Sequence, residues 1–85
     1  MHKDRQGILN SLKVILCRLE IISSADVLTE STGLFGKGVG MDSVEILQMV
    51  AAIEEEFDLT IVDEDLLPIH FNTVSNLINF IEQRL

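Results

Sequence analysis

Apolar residues recur at helical spacing in three stretches of this 85-residue chain, and a long aperiodic stretch separates the first from the second. From about Asp4 to Ile22, Ile8, Leu9, Leu12, Ile15, Leu16, Leu19 and Ile22 follow one another at three and four residues, one face of a helix. Val14, Cys17 and Ile21 widen that stripe and predict packing on more than one side. A second period, Ile46, Met49, Val50, Ile53 and Phe57, predicts a helix from Ser43 to Phe57. Asp42 is placed to cap it, with Glu45 three residues on, a D-x-x-E form of the capping box. Val74, Leu77, Ile78 and Ile81 predict a last helix through about Arg84, capped by Thr73. "DEDLL", residues 63–67, reads as a short helix or turn with Asp63 as its cap and Pro68 as its stop.

Between the first two helices, "SSADVLTESTGLFGKGVGM", residues 23–41, carries four of the five glycines and many Ser, Thr and Asp residues. It predicts a long loop, pinned to the core by Val27, Leu28, Leu34 and Phe35. "TIV", residues 60–62, is β-branched but too short to predict a sheet. The expectation is an all-α four-helix bundle, three main helices plus one short helix, forming a single domain over residues 1–85.

Charge sharpens the second helix. The chain has 14 acidic and 6 basic residues, a formal net charge of −8. Nine of the acids lie between Asp42 and Asp65, where there is no Lys or Arg. That segment is therefore −9, and the other five acids against six bases leave +1. Such a field excludes a nucleic-acid binder, which needs a basic footprint. It suits a docking face for basic partners, especially as Val44, Leu47 and Ala51 lie outward among Glu45, Gln48, Glu54 and Glu55. A solvated helix face accounts for the same pattern. No stretch reaches about 18 uninterrupted apolar residues, so no membrane insertion is expected. The opening "MHKDRQGILN" carries charges of both signs and lacks the apolar run of a secretory signal. The single Cys17 permits no internal disulfide and suits a reducing, cytoplasmic setting.

Most candidate chemistry fails on spacing. "GLFGKGVG" holds a Gly-Lys pair, but only two residues lie between Gly33 and Gly36 where a phosphate loop needs four between its first glycine and its Gly-Lys pair. The glycines then serve to turn the chain sharply. Counting from Asp63, a calcium loop would put glycine at Pro68 and glutamate at Val74, so no specific metal site is expected. His2 and His70 are the only histidines, and Ser43 lacks a G-x-S-x-G elbow because Glu45 follows two residues on. Cys17 reads as a buried small hydrophobe, His70 as a half-buried packing residue, and the chain as a non-enzyme. Ser43 remains. It sits at a helix start, where partial positive charge and unpaired N–H groups favour an anionic phosphoester.

"GVGMDSVEILQMVAAIEEEFDLTIVDEDL" closely resembles the acyl carrier proteins, and "FNTVSNLINFIEQRL" resembles the last helix of that family and the turn before it. The first helix and "TGLFGKGVG" agree in length and position, so the likeness covers nearly the whole chain. The resemblance implies a four-helix bundle with a long first loop. It implies a 4′-phosphopantetheine arm, taken from coenzyme A, covalently attached to the Ser43 hydroxyl, with acyl groups held as thioesters on the terminal thiol. It implies partner recognition by Asp42, Val44, Glu45, Leu47, Gln48, Ala51, Glu54 and Glu55. The implied partners are a phosphopantetheinyl transferase (the holo-synthase) and acyl transferases, ketosynthases and other biosynthetic enzymes with basic docking patches, met by a monomer. In that family the acyl chain can enter the core, here near Ile46, Met49, Val50, Ile53, Phe57, Ile61 and Leu77. Met41 and Val44 stand where housekeeping fatty-acid carriers commonly have leucine, and Gln48 where an acid is common. Fatty-acid, polyketide, other lipid and aminoacyl or peptidyl cargo stay open. So does an unmodified acidic adaptor that binds basic partners.

Overall fold

A computed structural model describes residues 4–85 and shows four helices: α1 (Arg5–Arg18), α2 (Ser43–Phe57), α3 (Pro68–Phe71) and α4 (Val74–Arg84). Two 3₁₀ turns, Ala25–Val27 and Asp63–Asp65, lie in the connections. The helices pack α1 against α2, α1 against α4 and α3 against α4. Their facing stripes close one core: Ile8, Leu12, Ile15 and Leu16 of α1, Met49 and Ile53 of α2, and Leu77, Ile78, Phe80 and Ile81 of α4 are almost fully buried. All-α architecture follows from the three helical periods, each of which has one apolar face to bury.

α1 is shorter than its apolar period predicts. It ends at Arg18, not near Ile22. Glu20 adopts φ 61°, and both the Ile21 and Ile22 N–H groups return to the Leu16 carbonyl, at 2.9 and 3.3 Å. Side chains of a reversing chain can still face the core, so Ile22 is buried and Ile21 half-buried without being helical. Val14 does not widen the buried stripe; it is 61% exposed.

Loop 23–41 is pinned by Leu28, Leu34 and Met41, which are buried, while Val27 and Phe35 face solvent. Its backbone also completes α4. The first N–H groups of a helix have no partner within it. Here the Thr32 carbonyl accepts from Val74 N–H at 2.9 Å and the Glu30 carbonyl from Ser75 N–H at 2.8 Å. The Thr73 hydroxyl accepts from Asn76 N–H at 3.1 Å, as its cap position predicts. Arg5 fastens the same junction from α1. Its guanidinium donates to Glu30 and Ser75 on one side and to Asn79 and Glu82 on the other. Glu30 foremost, then Glu82, raises the Arg5 pKa above its ordinary value.

The region after α2 departs from expectation in detail. Residues 63–65 form only a 3₁₀ turn, and Pro68 opens α3 instead of stopping a helix. A proline fits the first helical position, because its missing N–H would have no intrahelical partner there. Asp63 is not the cap of the turn; the Asp65 carboxylate accepts from Val62 N–H at 3.0 Å. The other Asp65 oxygen accepts from Arg84, which bonds it to the end of α4. Arg84 first, then the Val62 N–H, holds the Asp65 pKa below the ordinary carboxylate value of 3.8. A carboxylate whose folded pKa is depressed stabilises the fold above its unfolded pKa and stops doing so as pH falls through the folded one. Asp65→Asn is therefore expected to unfold at lower urea than the native chain at neutral pH. The gap should narrow below pH 3.8. A gap independent of pH between neutral and strongly acidic solution would contradict this account.

Candidate functional site

Ser43 is the first residue of α2, and it is exposed. The capping work is done next to it. The Asp42 carboxylate accepts from Glu45 N–H at 2.8 Å, and the Glu45 carboxylate accepts from Asp42 N–H at 3.1 Å. The helix thus starts without using the serine hydroxyl. Glycines bring the chain to this point. Gly36 and Gly40 have φ of 61° and 73°, in the left-handed region. Between them the segment crosses itself: Val39 N–H donates to the Gly33 carbonyl at 2.8 Å and Met41 N–H to Leu34 at 3.0 Å. Leu34 N–H reaches the Asn72 carbonyl at 3.0 Å, so the approach to Ser43 is tied to the turn before α4.

The residues singled out on α2 divide into two groups. Val44, Leu47, Gln48, Ala51 and Glu55 are exposed, with Val44 at 63% and Leu47 at 59%. Glu45 and Glu54 are half-buried and hold backbone: Glu45 closes the capping box, and Glu54 accepts from Ile61 N–H at 2.8 Å. Asp42 is exposed but engaged as the cap. Spacing alone placed Glu54 outward. It gave no sign that the chain turns back after Asp58, at φ 52°, to place the Ile61 amide against that carboxylate.

The other candidates are dispersed. His70, half-buried on α3, packs its ring against Phe80 at 4.8 Å. Cys17 is half-buried on α1 and unpaired, not fully enclosed as its apolar surroundings suggest. His2 lies outside the described residues. Among the described residues no three of His, Cys, Asp or Glu are grouped to hold a metal ion. Likewise none of the described helices is long and apolar enough to cross a membrane.

An apolar pocket of about 130 Å³ opens beside α2, lined by Phe35, Ile46, Leu66, Leu67, Pro68 and Phe71. Of the residues expected near an internal cavity, only Ile46 lines it. Met49, Val50, Ile53, Phe57 and Leu77 are buried in the packed core, and Ile61 is half-buried. Sequence reading missed Phe35 and Leu67 as surface groups. An apolar residue in a loop reads as an anchor, and here Leu34 takes that role.

A family model described as "Phosphopantetheine attachment site" matches residues 10–81. The chain belongs to the phosphopantetheine-binding acyl carrier protein family. Its relatives include an "Acyl carrier protein" of Cylindrotheca sp., 38% identical over 55 residues, which are 65% of this chain and 66% of that protein. An "Acyl carrier protein" of Exiguobacterium sp. is 39% identical over 51 residues, 60% of this chain and 62% of that protein. An "Acyl carrier protein, mitochondrial" of Neurospora crassa is 30% identical over 69 residues, 81% of this chain and 51% of that protein. The chain thus spans about half to two thirds of the length of these relatives. Members of the family carry a covalent 4′-phosphopantetheine. The helix start fits such a group. Ser43 is exposed, the cap is made by Asp42, and the first turn of α2 favours an anionic phosphoester.

Proposed function

We propose that this protein is an acyl carrier in which residues 1–85 act as one domain and Ser43 bears the 4′-phosphopantetheine arm. The arm supplies a terminal thiol on which acyl groups are held as thioesters. The chain supplies the rest. Asp42 and Glu45 fix the start of α2, the glycine-rich segment brings that start to the surface, and Ser43 presents its hydroxyl there. Val44, Leu47, Gln48, Ala51 and Glu55 offer exposed apolar and polar contacts beside it, within an acidic segment that attracts basic partners. Those partners are a phosphopantetheinyl transferase, then acyl transferases, ketosynthases and related enzymes of fatty-acid, polyketide or other lipid synthesis. The protein performs no catalysis itself; tethering raises the local concentration of cargo at each partner's active site. The proposal includes a cytoplasmic setting.

The observation that carries this reading is an exposed serine, relieved of capping, at the head of α2 in a chain of this family. Intact mass after incubation with coenzyme A, Mg²⁺ and a broad-specificity transferase tests it. A gain of one phosphopantetheine per chain is expected. No gain with several active transferases would leave the acidic adaptor as the better account.

A further inference from the structure

A hollow of about 430 Å³ lies between the chain reversal that follows α1 and the glycine-rich segment. It shares no residue with the pocket beside α2. Its volume is within the range of about 300–1,000 Å³ usual for small-molecule sites. Four aliphatic side chains line it, Ile21, Ile22, Val27 and Val39, and Val27 is 55% exposed. An apolar wall left in water gains free energy when a ligand covers it. The polar lining is sparse: Ser23, Thr32 and Lys37. The Thr32 hydroxyl is already engaged, accepting from Thr29 N–H at 2.9 Å and donating to the Val27 carbonyl at 3.4 Å. Ser23 and Lys37 are exposed, and neither side chain has a hydrogen-bond or ion-pair partner among the described residues.

Charge indicates the ligand. Lys37 is the one charged residue in the lining, so the ligand's head is anionic. The chain as a whole carries −8, a field that repels a multiply charged ligand and leaves one negative charge as what a single ammonium can hold. An adjoining hollow of about 480 Å³ shares Ile21, Ile22 and Ser23 and is completed by Cys17 and Glu20. The Glu20 carboxylate disfavours an anionic head at that end, which leaves Lys37 as its place. We propose that the hollow binds a small aliphatic monocarboxylate, with its head at Lys37 and Ser23 and its chain along Ile21, Ile22, Val27 and Val39. Gly38 and Val39 are part of the lining, and the 2.8 Å bond from Val39 N–H to Gly33 closes the crossing that leads to Ser43. A bound carboxylate therefore braces this crossing against the end of α1. Neither Ser43 nor any other residue of α2 takes part, so the site stands whether or not the chain is a carrier.

The test titrates hexanoate into the Ser43→Ala chain while backbone amides are followed by NMR, so its outcome is separable from that of the loading experiment. Hexanoate should bind saturably and shift Ile22, Val27, Lys37 and Val39. Hexan-1-ol has the same chain without the charge, and it should bind about fivefold more weakly, the upper end for an exposed ion pair. Lys37→Gln should remove the difference between acid and alcohol, and Lys37→Arg should keep it. Val27→Ser, at an exposed position, should weaken both ligands alike. Equal binding of acid and alcohol, or an unchanged preference for the acid in Lys37→Gln, overturns the site. So does the absence of saturation. Shifts confined to Ile46, Leu66 and Phe71 overturn it as well, because they would place hexanoate in the pocket beside α2.

Discussion

Ser43→Ala should abolish covalent loading while leaving stability within about 0.5 kcal/mol of the native chain, as for a surface change that breaks no named interaction. The reason is the division of labour at the head of α2. The capping bonds run between Asp42 and Glu45, so removing the serine hydroxyl leaves the helix start intact. Alanine is moreover the best helix former at a position already helical. Asp42→Ala should behave in the opposite sense. It removes the acceptor of Glu45 N–H and should cost about 1 kcal/mol, within the ~0.5–2 found for cap deletions. Loading should still occur, more slowly, because Ser43 remains but its helix start frays. Urea unfolding and intact mass on the same pair of variants separate the roles. If Ser43→Ala still gained the mass of a phosphopantetheine, the arm would be attached elsewhere. If it lost stability as Asp42→Ala does, the serine would be part of the cap after all.

The contrast shows what the sequence makes legible. The D-x-x-E spacing around Ser43 is local, and local capping chemistry does not depend on the rest of the fold, so it survives into the structure unchanged. The same holds for Thr73 at the head of α4 and for the buried faces of α1, α2 and α4. Illegible features arise where the chain reverses without a glycine. Glu20 and Asp58 both adopt positive φ, a conformation disfavoured for residues with a Cβ. Neither position signals it. The first reversal shortens α1 while Ile22 stays buried; the second turns Glu54 from a candidate docking acid into an acceptor for Ile61 N–H. Pro68, expected to stop a helix, opens α3 instead for a related reason. Proline both ends helices and begins them, and only the extended backbone of Leu67 decides between the two.

These reversals also explain why the acidic segment is tolerated. Nine acids without a base between residues 42 and 65 repel one another, and Glu54, Glu55 and Glu56 lie toward the negative end of the α2 dipole. Part of that load is turned inward to useful work. Glu45 and Glu54 each accept a backbone N–H, and Asp65 accepts one from Val62 as well as the Arg84 guanidinium. Glu55 and Glu56 on α2, Asp58 after it, and Asp63 and Glu64 on the following turn remain exposed, in the same segment as the exposed Val44, Leu47 and Leu67. The negative field thus has a structural share and a surface share, and only the second is available to partners.

Gly38→Ala should destabilise the protein by about 3 kcal/mol, the upper part of the range for forcing atoms into a packed site. Gly38 does not have a positive φ, so conformational freedom is not the reason for a glycine there. Space is. A Cβ built on Gly38 would lie 1.9 Å from the Gly33 carbonyl oxygen, 2.5 Å from its carbon and 2.8 Å from its Cα. All three are backbone atoms and cannot rotate away as a side-chain tip would. The two backbones would have to separate, breaking the 2.8 Å bond from Val39 N–H to Gly33 and straining that from Met41 to Leu34. For a domain of this size the loss corresponds to a fall in Tm of roughly 12–24 °C. Gly36→Ala is the control. It meets no atom within 4 Å and carries only the strain of φ 61°, worth about 1–2 kcal/mol. Loading should follow the same order, because the crossing at Gly33 and Gly38 delivers the chain to Asp42 and Ser43. Gly38→Ala should be loaded more slowly than Gly36→Ala at a temperature where both are folded. Equal stability of the two variants would show that the crossing is absent in solution. Equal loading despite a large stability gap would show that Ser43 is positioned by the Asp42 cap alone.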